Sequence, residues 1–343
     1  MNNPSPASPH LIVVGTSSGG LQALVQLVAQ LPATLPAAVL VVQHLAANSS
    51  GAHIVHHLSL HTSLSCQVAT DEQPIQAGHL YLAPADRHLL VFEGRLLVTK
   101  GPRENSYRPA VDALFRSAAV HYGSAVIGVV LTGMLHDGTA GLDFVKRCGG
   151  RAVVQDPQDA DYPSMPETAL RNVAIDYVTP LPQMGQLLQE LTRVPPPAPV
   201  PIPEDIQAEA AIAARVVGTI SEVQHIGAPT PFTCPDCGGS LWKLEHGSVL
   251  RFRCHTGHAF TAEALLDSSR QGLEETLWVA LRMMEERKNL LSSMASRKQT
   301  PWSAQQQERL EEIKRHINRL REFMLNGVNG LSAHNASNAA SES

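Results

Sequence analysis

The sequence has no apolar run near the roughly 20 residues that a helix needs to cross a bilayer. Its start, MNNPSPASPH, has neither the basic cluster nor the apolar stretch of a secretory signal. The expected location is therefore the cytoplasm, and a membrane-embedded protein is not expected. Charge of one sign is also scarce, since 26 Lys and Arg stand against 31 Asp and Glu for a net charge of −5. Without a concentrated basic face, nucleic-acid binding has no electrostatic footing. Only five cysteines are present. Cys66 and Cys148 lie far from one another and from the group Cys234, Cys237 and Cys254, so a disulfide framework is not expected and the group suggests a metal. What is abundant is apolar material: 43% of 343 residues are hydrophobic and 17% charged, enough for one large domain and further small ones.

Residues 11–193 alternate β-rich apolar runs with helix-like stretches, the rhythm of a mostly parallel sheet covered by helices. The runs from Leu11, Ala37, His79, Ala125 and Arg151 are the expected strands, rich in Val, Ile and Leu as doubly covered strands are. Glu93-Gly94 divides LLVFEGRLLVTK into an expected β-hairpin, placed at an antiparallel edge. The fold class is thus α/β, a doubly wound sheet with a hairpin edge. From Val194 the run VPPPAPVPIPED is too rich in proline for a helix or central strand and reads as the start of an extended linker over 194–230, with a short helix around Asp205 to Val217. A cysteine module over 231–261 follows. Two helices over 262–328 come next, divided by Pro301, with Leu266, Leu273, Leu277 and Leu281 on one and Leu310, Ile313, Ile317 and Leu320 on the other, and they are expected to pair as a hairpin. Residues 1–10 and the polar tail 329–343 are expected to be disordered.

LIVVG-TSSGG-LQALVQLVAQL reads as strand, glycine turn and helix, so the turn's N–H groups lie at the positive end of a helix dipole. Such a turn suits a phosphate, or a serine nucleophile whose oxyanion those donors hold. Serine as a plain helix N-cap is the third option. Neither G-x-G-x-x-G nor a Walker lysine is present, which disfavours nucleotides. Ligand sites of open α/β sheets form at the carboxyl ends of strands. There VVQHL presents His44, and LTGMLHDGTAG presents Asp137. A serine needs a base, and the base needs an acid to fix its tautomer; Ser17 or Ser18, His44 and Asp137 supply those roles. Singly, His44 and Asp137 read as an ordinary hydrogen-bonded histidine and a loop-capping aspartate. Their shared location carries the reading.

GTSSGG, VVQHL, RPAVDALFRSAA and LTGMLHDGTAG resemble, in order from about Leu11 to Leu191, the chemotaxis protein-glutamate methylesterases of the CheB type. The resemblance implies Ser17 rather than Ser18 as nucleophile, His44 as base and Asp137 as acid. It further implies an oxyanion site from the backbone of Met134 with Ser18 and Gly19 at the start of the first helix. The implied reaction is hydrolysis of glutamate γ-methyl esters on the cytoplasmic helices of methyl-accepting chemoreceptors, with glutamine deamidation beside it and no catalytic cofactor. Many members begin with a receiver domain; with the first catalytic strand starting at Leu11, none is expected here. A catalytically silent signalling adaptor, or a hydrolase of another carboxyl ester, is the alternative expectation. A methyltransferase or other signalling protein is the expected partner of the C-terminal helices.

Asp112 competes for the acid role, but Pro109, Asp112 and Arg116 read as a helix start with an ordinary i, i+4 ion pair. Arg108 is a candidate contact for an acidic receptor surface. His53, His56, His57 and His61 include metal-like i, i+4 spacings but no glutamate between them, and read as a solvated helix face. DPQDADYPSMPETAL, with Met165-Pro166, is expected as a loop at the site's rim. In the module, CPDC, sixteen residues and CHTGH give zinc-ribbon-like spacing, with Cys234, Cys237, Cys254 and His258 as the expected ligands of a structural Zn2+ and His255 as the rival fourth ligand. Some members of the same family carry a similar FTCPDCGGSLW…RFRCHTGHAF module followed by a long helical segment.

Overall fold

The computed structural model describes residues 10–215, 219–297 and 304–337. In chain order the first part comprises β1 (His10–Thr16), α1 (Gly20–Val28), β2 (Ala37–Gln43), α2 (Ala52–Ser59), β3 (Ser65–Val68), β4 (His79–Leu82), β5 (His88–Phe92), β6 (Arg95–Thr99) and α3 (Val111–Tyr122). It continues with β7 (Val126–Val130), α4 (Thr139–Arg147), β8 (Arg151–Gln155), α5 (Ser164–Asn172), β9 (Tyr177–Thr179) and α6 (Leu181–Arg193). Seven strands form one parallel sheet in the order β3-β4-β2-β1-β7-β8-β9. The chain moves outward from β1 in one direction and then returns to continue from β7 in the other. The crevice between β1 and β7 is therefore a topological switch point, where such sheets place their ligands.

Side chains alternate across a strand, and here each face has its own core. Leu11 and Val13 of β1 join Leu40, Val42, Leu114 and Phe144 on the side covered by α3 and α4. Ile12 and Val14 join Val39, Val41, Leu24 and Leu188 on the side covered by α1 and α6. Double burial explains why the inner strands are continuous apolar runs.

Several sequence expectations change. The hairpin is formed by β5 and β6, but as a separate two-stranded sheet and not as an edge of the main one, because α3 draws Leu89, Val91 and Leu96 into its own core. Strands β3 and β9 lay in stretches too short and too exposed to show an apolar run. Met165-Pro166 belongs to α5, not to a loop: Met165 is fully buried against Gly133, so an apolar anchor organises the helix start.

Beyond α6 lie α7 (Glu204–Arg215), α8 (Ile220–Ile226), β10 (Gly227–Thr233), β11 (Ser240–Leu244), β12 (Arg251–Cys254), β13 (Ala259–Thr261), α9 (Ala262–Arg297) and α10 (Ala304–Ser337). Strands β10–β13 form an antiparallel four-stranded sheet. The chain divides into two compact units, Met1–Leu265 and Leu266–Ser343. The proline-rich run is extended yet packed within the first unit: Pro197 O accepts the Ser124 hydroxyl at 2.7 Å and Ile206 of α7 enters the main core. In the second unit Leu277, Leu281 and Met284 of α9 pack with Ile313, Ile317, Leu320 and Met324 of α10. Leu266 and Leu273, expected on the same stripe, are exposed. Helix α10 runs through the start of the expected disordered tail to Ser337, while residues 1–9 and 338–343 lie outside the described residues and His10 belongs to β1.

Candidate active site and cysteine cluster

Strands β1, β2 and β7 end side by side, and each delivers one part of the site. Ser17 follows β1 directly. Its N–H donates to Thr132 O at 3.1 Å, and the Thr16 hydroxyl donates to the same carbonyl at 2.8 Å, tying the serine loop to the loop after β7. Gly19 adopts φ 73° as the residue capping α1, a left-handed conformation that favours glycine. Neither serine side chain caps the helix. At Gly133 a Cβ would come within 2.9 Å of the Ser17 Cβ and 2.2 Å of the Met165 sulfur, so close approach of the two loops requires glycine there. Among the described residues, the N–H groups of Ser18, Gly19 and Met134 have no hydrogen-bond partner, while that of Gly133 is taken by Tyr162 O at 2.9 Å. These three N–H groups belong to the two loops that meet at Ser17.

His44 follows β2, with its N–H on Thr16 O at 3.2 Å and its ring stacked on Tyr107 at 3.8 Å between centroids and 5° between planes. Its Nδ1 lies 3.1 Å from the Ser17 Oγ, and its Nε2 lies 2.8 Å from the Asp137 Oδ2. An ionised carboxylate only accepts, so Nε2 carries the ring proton and Nδ1 offers its lone pair to the serine hydroxyl. Exposure falls along this chain, from the half-exposed Ser17 to the His44 side chain at 7% and the Asp137 side chain at 0%.

Burying the Asp137 charge requires donors. Oδ2 accepts the Val111 N–H at 2.6 Å; Oδ1 accepts the Asp112 N–H, the Gly138 N–H and the Asn105 Nδ2, each at 3.1 Å. Val111 and Asp112 open α3, so the carboxylate also sits at the positive end of that helix. Asp112 does the same for α4, with Oδ1 accepting the N–H groups of Gly138 at 2.9 Å and Gly141 at 2.6 Å. The two acids cap one another's helices. Burial, and then the charge of Asp137, push the Asp112 carboxyl up to about 8. The i, i+4 ion pair expected between Asp112 and Arg116 is replaced: Arg116 turns to Glu104, with Nη1 on Oε2 at 2.9 Å and Nη2 on Oε1 at 2.5 Å.

A cavity of about 130 Å³ opens beside His44, lined by Asp86, Arg103, Tyr107 and Arg108. Arg108 is held by Asp86 and by Gly101 O at 2.8 Å, and with Lys100 it keeps the Asp86 carboxyl down at about 2. Arg108 therefore lines the cavity as a fixed cation. Sequence reasoning missed Asn105 and Tyr107, which precede the family-like RPAVD and whose spacing carries no signal; only the folded loop brings them to the triad-like chain.

The expected metal ligands also meet. One ligand atom from each of Cys234, Cys237, Cys254 and His258 lies within 4.8 Å of the others. A tetrahedral zinc with two thiolates would hold their sulfurs about 3.8 Å apart, and a thiolate and imidazole nitrogen about 3.6 Å apart. The Cys237 and Cys254 sulfurs are 3.8 Å apart, and Cys254 Sγ is 3.5 Å from His258 Nδ1. The donor set fits such an ion. His255 is outside this group of four, and its ring lies edge-on to Trp242 at 6.4 Å. His57 and His61 only stack edge to face, at 5.2 Å.

Comparison with known proteins matches residues 12–188 to the family model "CheB methylesterase". The chain is 36% identical over 187 residues to "Protein-glutamate methylesterase/protein-glutamine glutaminase 2" of Anaeromyxobacter dehalogenans, covering 54% of each chain. It is also 36% identical over 183 residues to a "Putative protein-glutamate methylesterase/protein-glutamine glutaminase" of Leptospira interrogans, covering 52% of this chain and 93% of that protein. The chain thus spans about half the length of the first relative and nearly all of the second. The crystal structure of the Thermotoga maritima CheB methylesterase catalytic domain superposes with a TM-score of 0.51 at 33% identity, covering 53% of this chain and 98% of that one. Helices of the described residues are nowhere long and apolar enough to cross a membrane. With its parallel sheet, its site at the switch point and the match over 12–188, this chain belongs to the CheB methylesterase family.

Proposed function

We propose that this chain hydrolyses glutamate γ-methyl esters of chemoreceptors, with glutamine deamidation as a second acyl transfer, through Ser17, His44 and Asp137. The observation that carries this reading is the unbroken hydrogen-bond chain from the Ser17 hydroxyl through His44 to Asp137. His44 Nδ1 removes the serine proton as Oγ attacks the ester carbonyl, and Asp137 stabilises the imidazolium that forms. The N–H groups of Ser18, Gly19 and Met134 supply the oxyanion donors. The imidazolium protonates the departing methoxide; His44 then activates water against the acyl-enzyme, and glutamate and free serine are regenerated. Arg103 and Arg108 in the adjoining cavity suit an acidic receptor surface.

The cysteine cluster is read as a structural zinc site of ribbon type, closed by four protein ligands and therefore without a catalytic position. Its residues anchor the small core of Leu241, Phe252 and Phe260, which has little apolar material of its own. The ester reading is tested by methanol release from methylated chemoreceptor. Wild-type protein is expected to release it and to take up a fluorophosphonate on Ser17, and Ser17→Ala to do neither; full turnover by Ser17→Ala would remove the assignment.

A further inference from the structure

The docking of the four-stranded sheet on the α/β sheet converges on Asn105, a buried residue between β6 and α3. Its backbone N–H donates to Ala259 O at 2.8 Å, and its side-chain Oδ1 accepts the Thr261 N–H at 2.9 Å. Both partners belong to β13. The other end of the same amide, Nδ2, donates to Asp112 Oδ2 at 2.7 Å and Asp137 Oδ1 at 3.1 Å. One side chain thus reaches from the cysteine-bearing sheet to the carboxylate that faces His44. Turning the amide over would set Oδ1 against the Asp137 carboxylate and Nδ2 against the Thr261 N–H, so Asp137 and Thr261 select the same orientation.

The neighbouring residue adds a second tie. Glu104 is buried between Arg116 of α3 and Arg253 of β12, whose Nη2 lies 3.2 Å from Oε1. Arg253 also donates to Gly257 O at 3.1 Å and directly precedes the cluster residue Cys254. Residues 104 and 105 are therefore clamped from the cysteine sheet on one side and hold the acid of the site on the other.

We propose that Asn105 is a positioning residue for Asp137 and that the cysteine-bearing sheet sets its position through β13 and Arg253, so that undocking of this sheet slows turnover at Ser17. The proposal rests on the ester-hydrolase reading above. A displaced supporting residue costs rate even when it touches no substrate, because the base must be held in one geometry as the proton moves.

The test uses the full chain with Asn105→Ala, Arg253→Met, the double variant and the milder Arg253→Lys, each assayed as kcat per Ser17 titrated with a fluorophosphonate. Asn105→Ala and Arg253→Met are expected to lower kcat per titrated site on the order of 10-fold or more with little change in KM. The double variant is expected to lose no more than Asn105→Ala alone, since both act through one contact, and Arg253→Lys to fall between Arg253→Met and the wild type. A merely structural role would reduce the titratable fraction and leave kcat per site unchanged; that result, or losses that multiply in the double variant, overturns the proposal. Failure of the ester reading appears separately, as absence of Ser17-dependent methanol release by the wild type. Hydrogen exchange at the Val111 and Asp112 amides needs no substrate. It is expected to quicken about 10-fold in Asn105→Ala and Arg253→Met, and unchanged exchange in both overturns the proposal as well.

Discussion

Replacing Asp137 by Asn is expected to lower kcat by roughly 10³ to 10⁴ while leaving the fold intact, because an amide facing His44 Nε2 no longer enforces the tautomer that frees Nδ1 for the serine. Circular dichroism and methanol release measured on the same preparation check both halves of this expectation. Removing the ring under the histidine is a milder change: Tyr107→Ala leaves His44 without its stacked partner and should cost about 10-fold in kcat, with Ser17 still labelled. Labelling at the wild-type rate with unchanged kcat would assign Tyr107 to packing alone. At this scale the sequence was legible where a residue ended a strand. Ser17, His44 and Asp137 could be paired from that placement, since parallel strands bring their carboxyl ends to one edge. Asn105 and Tyr107 could not, because nothing in ENSYRP fixes the path of the loop. Asp112 was misleading for a physical reason: its helical spacing to Arg116 was real, but both side chains found stronger partners in other elements.

Between elements, the ionic cluster under β12 decides how the cysteine sheet is held. Glu209 of α7 receives a two-pronged contact from Arg251, at 2.8 Å for each bond, and has Arg253 at 3.5 Å. Burial alone would raise its carboxyl, but Arg251 and Arg253 overcome this and hold it at about 2. The folded value lies below the ordinary value of about 4.3, so the stabilisation is fully present above that ordinary value and is lost as pH falls towards about 2. Glu209→Gln is accordingly expected to cost about 3 kcal/mol at neutral pH, the loss typical of an orphaned buried partner. The difference from wild type should shrink steadily below about pH 4. Denaturant unfolding of both proteins across that range checks it, and a difference independent of pH would argue that the charge is not what matters. This cluster was illegible in sequence, where Arg251, Glu209 and Glu104 are isolated charges. The apolar strands beside them were legible, because burial on both faces leaves a continuous run that any register preserves.

Across the whole molecule, the proline-rich run reads as a tether but is pinned to the first unit at separate points, by His10 at Val194, Ser124 at Pro197 and the packing of Ile202. Ser124 holds Pro197, Ile206 and Val249 complete the main core, and β13 meets Asn105. Prolines do exclude helix there; what composition could not reveal is that an extended and largely exposed segment is still pinned to a neighbouring surface through Pro197 and Ile202. The compact unit consequently runs to Leu265. Two shortened chains separate tether from docked segment. A chain ending at Arg193 uncovers the apolar sites filled by Ile206 and Val249, each worth about 1.5–3 kcal/mol when fully buried, and strips Asn105 of both contacts to β13. It is expected to unfold at lower temperature and to label Ser17 at least about 10-fold more slowly with a fluorophosphonate. A chain ending at Arg297 keeps all of these contacts and is expected to label at nearly the full-length rate. Zinc belongs to the same comparison: the chain ending at Arg297 should carry one ion per molecule by metal analysis, and chelation should bring its labelling rate towards that of the chain ending at Arg193, since the cysteine sheet loses its anchor. Equal labelling by the two shortened chains, with or without chelator, would place the docked segment outside catalysis.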